Sequence, residues 1–433
     1  MIGISPYYVL IAISVIVILS YIFNRISKKT SIPSVLLLII LGIVINAADK
    51  SFHVLDKDLM PLLEILGIVG LIMIVLEAAL DLKLERDKWP ILWRSFLVAL
   101  LGLLATAFAI SGVLVLFLQS DFQSSLLYAI PMSILSSAII LPSVHGLSEN
   151  KREFMIYEST FSDILGITFF YLMLQQFEST ESASLIASLG SSVGLTITIS
   201  VVASYILILV FQNLRSNVKL FLLISVLILL YAIAKLFHLS SLLIILVFGL
   251  ILNNTKLFFR GPLKRFLDPD QIGKILIDFR LITIESAFVV RTFFFVIFGT
   301  TIILGQLFSW DVFIQSTIIL ALTFGIRWIF LRVTVGSDIH PQVFIAPRGL
   351  ITVLLFFAIP DQFHILKFEN GILLYVILAT SILMTWSLIR NKNNLDTEEE
   401  EDTFNPSPNF EDEAIKTLVE DELGITHQEK SSD

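Results

Sequence analysis

Cysteine is missing from all 433 residues, which removes disulfides, thiolate nucleophiles and Cys-based metal sites from consideration. Charge is also scarce: Asp, Glu, Lys and Arg together make up 15% of the chain, against about 25% in soluble domains. With 56% hydrophobic residues and a mean hydropathy of +0.88, the chain falls outside the soluble globular class. It contains no P-loop, no glycine-rich dinucleotide fingerprint and no metal-ligand spacing. Neither ATP, a redox cofactor nor an enzyme activity is therefore expected. Basic residues form no stripe interleaved with exposed aromatics, so nucleic acid is excluded as a partner. The net charge of −8 says little about the apolar body, because much of the acid lies beyond Leu395, with its run Glu398 to Asp402. Residues 391–433 are expected to form an acidic, disordered cytoplasmic tail with one short helix over 412–423.

What the chain has in abundance is long apolar runs. A helix needs about 20 such residues to cross a 30 Å hydrocarbon core. Thirteen runs qualify, over approximately 5–24, 31–48, 59–82, 91–118, 124–147, 154–176, 184–211, 218–235, 239–253, 280–305, 310–331, 341–360 and 370–389. The first lacks a preceding basic stretch and a small-residue cleavage site, and reads as a span rather than a signal peptide. Lys and Arg test the count, since they favour cytoplasmic loops. Nineteen of the 29 fall in the even-side loops and four, Lys50, Lys57, Lys235 and Lys367, in the opposite ones. Arg94, Arg291, Arg327 and Arg348 remain at membrane depth. The expected fold is thus an all-α polytopic membrane protein with 13 spans, N-terminus outside and C-terminus cytoplasmic.

Within the sixth run stands Tyr157-Glu158-Ser159-Thr160-Phe161-Ser162-Asp163, two carboxylates in an apolar span. An ionisable side chain at that depth costs roughly 2.5–3.5 kcal/mol on insertion scales, so it persists when paired, hydrated or functional. On a helix, Ser159 and Asp163 share one face while Glu158 and Ser162 share another, about 100° away. The fifth run carries Ser136-Ser137-Ala138-Ile139-Ile140-Leu141-Pro142, and the twelfth carries Ala346-Pro347-Arg348-Gly349-Leu350. Proline and glycine breaks seven spans apart point to two inverted six-helix repeats, whose broken helices free backbone carbonyls at the midplane.

In order along the chain, Val75-Leu76-Glu77-Ala78-Ala79-Leu80-Asp81-Leu82, Glu158-Ser159 followed by Ser162-Asp163, Glu285 to Gly299 with Val290-Arg291-Thr292-Phe293-Phe294-Phe295, and Arg348-Gly349-Leu350 resemble the signatures of the monovalent cation/proton antiporter superfamily. They are most similar to its electroneutral branch of bacterial Na⁺/H⁺ or K⁺/H⁺ exchangers. The resemblance implies an exchanger domain over 1–390, with dimerisation helices at 5–82 and 218–305, core helices at 91–176 and 310–389, and a linker helix at 184–211. It also implies a homodimer in the inner membrane. By the same resemblance Asp163 carries the proton and the cation alternately, and Ser159 supplies a neutral oxygen to the monovalent metal ion. Physical chemistry agrees: desolvation favours the protonated carboxyl and an arriving cation the ionised one, so the two compete. One carboxylate on that face implies one cation for one proton.

Ser162 stands where relatives carry Asn, and Ser136 and Ser137 stand where relatives carry Thr and Asp, so the fifth span offers hydroxyls and carbonyls but no carboxylate. The resemblance pairs Glu158 with Arg327 as a structural brace. Arg348 is expected to neutralise the carbonyl ends of the fifth-span break or to hold the acidity of the cavity in check, with a purely structural role the plainer reading, Glu77 to line the cavity edge, and Glu285 to pair with Arg291 or another buried base. His145 is a candidate pH sensor, with an ordinary loop histidine the plainer reading. Residues 256–274, basic with interspersed Phe, read as an interfacial stretch against anionic lipid. The candidate cargo is Na⁺, K⁺ or Li⁺ with H⁺. An uncoupled cation channel and a transport-deficient sensor on the same scaffold remain alternatives at this level.

Overall fold

Helices composed almost wholly of Leu, Ile, Val and Phe satisfy their backbone groups internally, the condition for residing in lipid. The computed structural model describes residues 6–30, 34–52, 60–84, 88–141, 143–144, 146–178, 185–213, 219–236, 241–259, 269–301 and 309–399, and among these it contains no strand. The helices are α1 (Pro6–Thr30), α2 (Ser34–Phe52), α3 (Met60–Asp81), α4 (Trp89–Leu118), α5 (Phe122–Ser133), α6 (Ser137–Ile140), α7 (Glu149–Glu178), α8 (Leu185–Asn213), α9 (Lys219–Leu236) and α10 (Ser241–Asn253). After them come α11 (Thr255–Phe258), α12 (Pro269–Thr301), α13 (Trp310–Thr334), α14 (Leu350–Phe357) and α15 (Asn370–Glu399). Among the described residues, six stretches are long and apolar enough to cross a membrane, including Trp89–Leu118, Gln271–Thr300 and Trp310–Thr334, and four shorter apolar helices accompany them. The chain is an integral membrane protein. It divides into two compact units, Met1–Ile389 and Arg390–Asp433, the second described only through the end of α15.

Local chemistry sets several helix ends. Pro90 opens α4, where its missing N–H costs nothing, and Gln119 closes the helix in the left-handed conformation with its N–H on the Val115 carbonyl. Asp121 caps α5 by accepting from the Ser124 N–H at 2.8 Å. α12 begins at Pro269, well before the run expected from residue 280. The apolar criterion stops at Lys274, Asp278 and Arg280, whereas the backbone continues as helix once Arg280 has paired with Asp81 of α3. Arg94, expected at membrane depth, is exposed near the start of α4, where a long cationic side chain reaches the headgroup level.

Two features hold the layers at their spacing. α2 and α12 meet backbone to backbone at Gly42 and Gly299, where a Cβ on either residue would collide with the other helix. α4 packs against α5, α7 and α13, α5 also meets α7, and α14 closes on α5 and α7. The basic stretch expected at the lipid surface behaves differently where it is described. Phe259 is buried, its ring 4.7 Å from that of Tyr205, so it anchors inward. Residues 260–268, His145 and the expected tail helix lie outside the described residues.

Candidate ion-binding site at the helix crossing

Pro131 lacks an N–H and α5 stops two residues later, leaving Ile134–Ser136 extended before α6. The second break runs extended from Ile345 to Gly349 between a 3₁₀ turn at Gln342–Phe344 and α14. The two extended segments cross, and the Ser136 N–H donates to the Pro347 carbonyl at 3.0 Å. Gly349 permits this approach: a Cβ there would run into the Ser136 side chain and come within 3.0 Å of Ile139 Cδ1.

α7 runs past the crossing and satisfies the backbone groups that the first break leaves free. Ser162 Oγ accepts from the Leu135 N–H at 2.9 Å, and Asp163 Oδ2 accepts from the Ser137 N–H at 3.1 Å. Both residues are buried, Asp163 with 1% of its surface exposed. Asp163 Oδ1 has no hydrogen-bond partner. A buried carboxylate oxygen left unsatisfied is costly, and here it is available to a proton or a cation. Ser159, one turn earlier, donates to the Ile156 carbonyl at 3.1 Å, which leaves its oxygen lone pairs free to accept or ligate.

Glu158 turns away from this face. Arg327 NH1 and NH2 of α13 donate to its two oxygens at 2.6 and 3.0 Å, a bidentate pair with 7% and 1% side-chain exposure. The same guanidinium donates through Nε and NH2 to the Gln342 carbonyl at 3.1 and 3.0 Å. One arginine thus ties α7 and α13 to the turn that leads into the second break. Arg348 is 1% exposed and, among the described residues, has no carboxylate partner. It donates instead to the carbonyls of Met132 at 2.8 Å, Ser133 at 3.4 Å and Ala346 at 2.7 Å. The first two are orphaned at the C-terminal end of α5, where the helix dipole favours a cation. A cavity of about 30 Å³ lies between these arginines and α4, bordered by Thr106, Ser162 and Thr323. Its size admits a water molecule or two, and Thr323 Oγ1 lacks a protein partner there.

The remaining acids fall out differently from the sequence expectation. Arg291 NH2 of α12 lies 3.1 Å from Glu77 Oε2 of α3, so the arginine assigned to Glu285 belongs to Glu77. Glu285 is exposed on α12. Six positions separate Glu285 from Arg291, about 600° of helical rotation, which leaves them about 120° apart around the helix axis. No cluster of His, Cys, Asp or Glu suited to a resident metal ion occurs among the described residues. The backbone N–H of Ser136 bonds the Pro347 carbonyl at the crossing, and the backbone N–H of Ser137 reaches Asp163.

The chain matches, over residues 11–390, the family described as sodium/hydrogen exchanger, transmembrane. Among solved structures it is similar to the sodium proton antiporter MjNhaP1 from Methanocaldococcus jannaschii at pH 8, with TM-score 0.64, 19% identity and coverage of 89% of this chain and 96% of that one. A second structure of MjNhaP1, from electron microscopy, matches with TM-score 0.62 at 19% identity over 94% and 100% of the two chains. At that identity the likeness concerns the fold. No curated protein matches the chain in sequence. Because the family match spans the whole apolar body, from the first long helix through both breaks to the last, this chain is a member of the sodium/hydrogen exchanger family.

Proposed function

We propose that this exchanger trades one monovalent cation for one proton at Asp163, and that the exchange is electroneutral. The observation that carries the reading is Asp163 Oδ1, a buried carboxylate oxygen at the crossing with no hydrogen-bond partner. A proton or a desolvated cation satisfies it, and both together do not. Ser159 lends an oxygen to the cation, the Ser137 N–H holds the carboxylate in place, Ser162 holds the Leu135 N–H of the first break, and Glu158, Arg327 and Arg348 brace the crossing. Na⁺ is the family's cation, with K⁺ and Li⁺ as further candidates.

The wider reading is of thirteen spans, a homodimer built on helices within 5–82 and 218–305, a core within 91–176 and 310–389, and a linker at 184–211. The N-terminus lies outside the inner membrane and the C-terminus in the cytoplasm, with anionic lipid at the basic loops. The protein uses no cofactor and catalyses no covalent step.

Purified protein in vesicles with an internal pH dye tests the mechanism. A Na⁺ or K⁺ gradient is expected to move protons at a rate unchanged when the membrane potential is clamped. Asp163→Asn is expected to abolish that movement. Activity surviving in Asp163→Asn refutes the assignment of the site, and cation flux without proton flux points to an uncoupled channel.

A further inference from the structure

The cavity beside α4 is bordered by three charged side chains, Glu158, Arg327 and Arg348, and by no other Asp, Glu, Lys, Arg or His. Two cations thus face one anion. Arg327 and Glu158 neutralise each other through their bidentate contact. The charge left over is that of Arg348. Its counter-charge is the C-terminal end of α5, equivalent to about half an elementary charge, so roughly half of a buried positive charge stays unbalanced.

Hydrogen bonding leaves an imbalance of the same sign. A guanidinium carries five N–H groups. Arg348 gives one each to the carbonyls of Met132, Ser133 and Ala346, so among the described residues one N–H on each terminal nitrogen remains. Thr323 Oγ1, buried on α13, has no partner. Ser162 Oγ accepts from the Leu135 N–H, and among the described residues its own proton has no acceptor. The cavity therefore gathers spare N–H and O–H donors from α7, α13 and the second break, while its one carboxylate is committed to Arg327.

That lining repels a cation, and a water molecule satisfies the hydroxyls without offsetting the charge. A volume of about 30 Å³ holds one small ion. The apolar wall of Val98, Leu103 and Phe330 offers nothing to the outer oxygens of a phosphate or carboxylate, whereas a halide needs donors on one side only. We infer that the cavity is a site for a resident halide, chloride in the cell, which accepts from Arg348, Thr323 and Ser162 and completes the charge balance behind the crossing. The anion is structural and not cargo: it lies on the Glu158 and Ser162 face of α7, and Asp163 does not border the cavity.

The test uses the native protein in detergent at fixed Na⁺ concentration and ionic strength, with gluconate exchanged stepwise for chloride. The melting temperature is expected to rise along a saturating curve, by about 5 °C once chloride reaches roughly 100 times its Kd. Bromide is expected to act in the same way. A melting temperature that stays constant, or climbs linearly without saturation, overturns the inference. Thr323→Val removes one donor at nearly the same shape and is expected to raise the chloride Kd about tenfold, the lower end of what a hydrogen bond to a charged group contributes. An unchanged Kd in that variant overturns the assignment.

The location is read from the native protein, independently of how the variant folds. Crystals grown in bromide are expected to show an anomalous peak between Arg348, Thr323 and Ser162. Water density alone in the cavity overturns the inference, as does a bromide peak without saturable stabilisation, which marks an adventitious ion only. Proton exchange is measured separately in vesicles, so failure of the anion site leaves the antiport reading untouched.

Discussion

Neutralising Glu158 strands the cation of Arg327 in the packed interior, and the size of the penalty follows from the geometry. The pair is bidentate at 2.6 and 3.0 Å, with side chains 7% and 1% exposed, so water cannot replace the lost partner. Breaking a buried pair from one side costs about 3–5 kcal/mol. In Glu158→Gln the amide still accepts one hydrogen bond, which places the expected loss near the lower end, about 3 kcal/mol. At roughly 2 °C per kcal/mol in a large domain, the apparent melting temperature in detergent is expected to fall by about 6 °C.

The double variant Glu158→Gln/Arg327→Gln removes both charges and leaves two amides able to bond each other or the Gln342 carbonyl. It is expected to recover at least half of the loss, because the stranded charge and not the missing contact dominates the penalty. The assay is thermal unfolding followed by the monodisperse fraction on size exclusion, at matched detergent and protein concentration. A single variant within a degree of native, or a double variant that loses the sum of both single losses, refutes a buried brace at this position.

Gly349→Ala is expected to slow vesicle transport and to destabilise by about 1–3 kcal/mol, because its Cβ enters the space of the Ser136 side chain; adding Ser136→Gly is expected to restore part of both, and no effect of Gly349→Ala refutes the close crossing. Arg348→Met leaves the Met132 and Ser133 carbonyls without donors, and a loss of about 3 kcal/mol is expected in the same thermal assay, with Arg348→Lys intermediate. Asp338→Asn provides the contrast: its contact to Lys151 at 2.7 Å is exposed, so stability is expected to change by less than about 0.5 kcal/mol, and a larger fall assigns that contact a structural weight its exposure denies.

How much of this was legible beforehand differs by feature. The apolar runs and the alternation of basic loops led directly to a chain of membrane helices, because in lipid a long apolar segment has one stable backbone arrangement. Pro347 and Gly349 mark the second break in the sequence, whereas the first, expected from Ser136 to Pro142, opens at Ile134 because α5 ends two residues after Pro131. The start of α12 was misread because charges at 274–280 interrupt the hydropathy signal, while Arg280 and Asp81 neutralise each other across two helices far apart in sequence. The pairing of Arg291 with Glu77 was not readable for the same reason: nothing in a local window indicates that α3 lies against α12.

The order of polar residues on α7 belongs to the sequence, since a 3.6-residue period puts Ser159 and Asp163 on one side and Glu158 on another whatever surrounds them. So does the need for compensation, because two acids in an apolar span cannot stay there unpaired. Which compensation each receives was decided by tertiary structure alone. Glu158 meets a guanidinium from α13, Asp163 meets a backbone N–H that exists only because α5 is broken, and Arg348 meets carbonyls freed by that same break. Helical periodicity is a property of neighbouring residues, whereas these contacts join groups 26 to 216 positions apart. Only the packing of the helices brings them within reach.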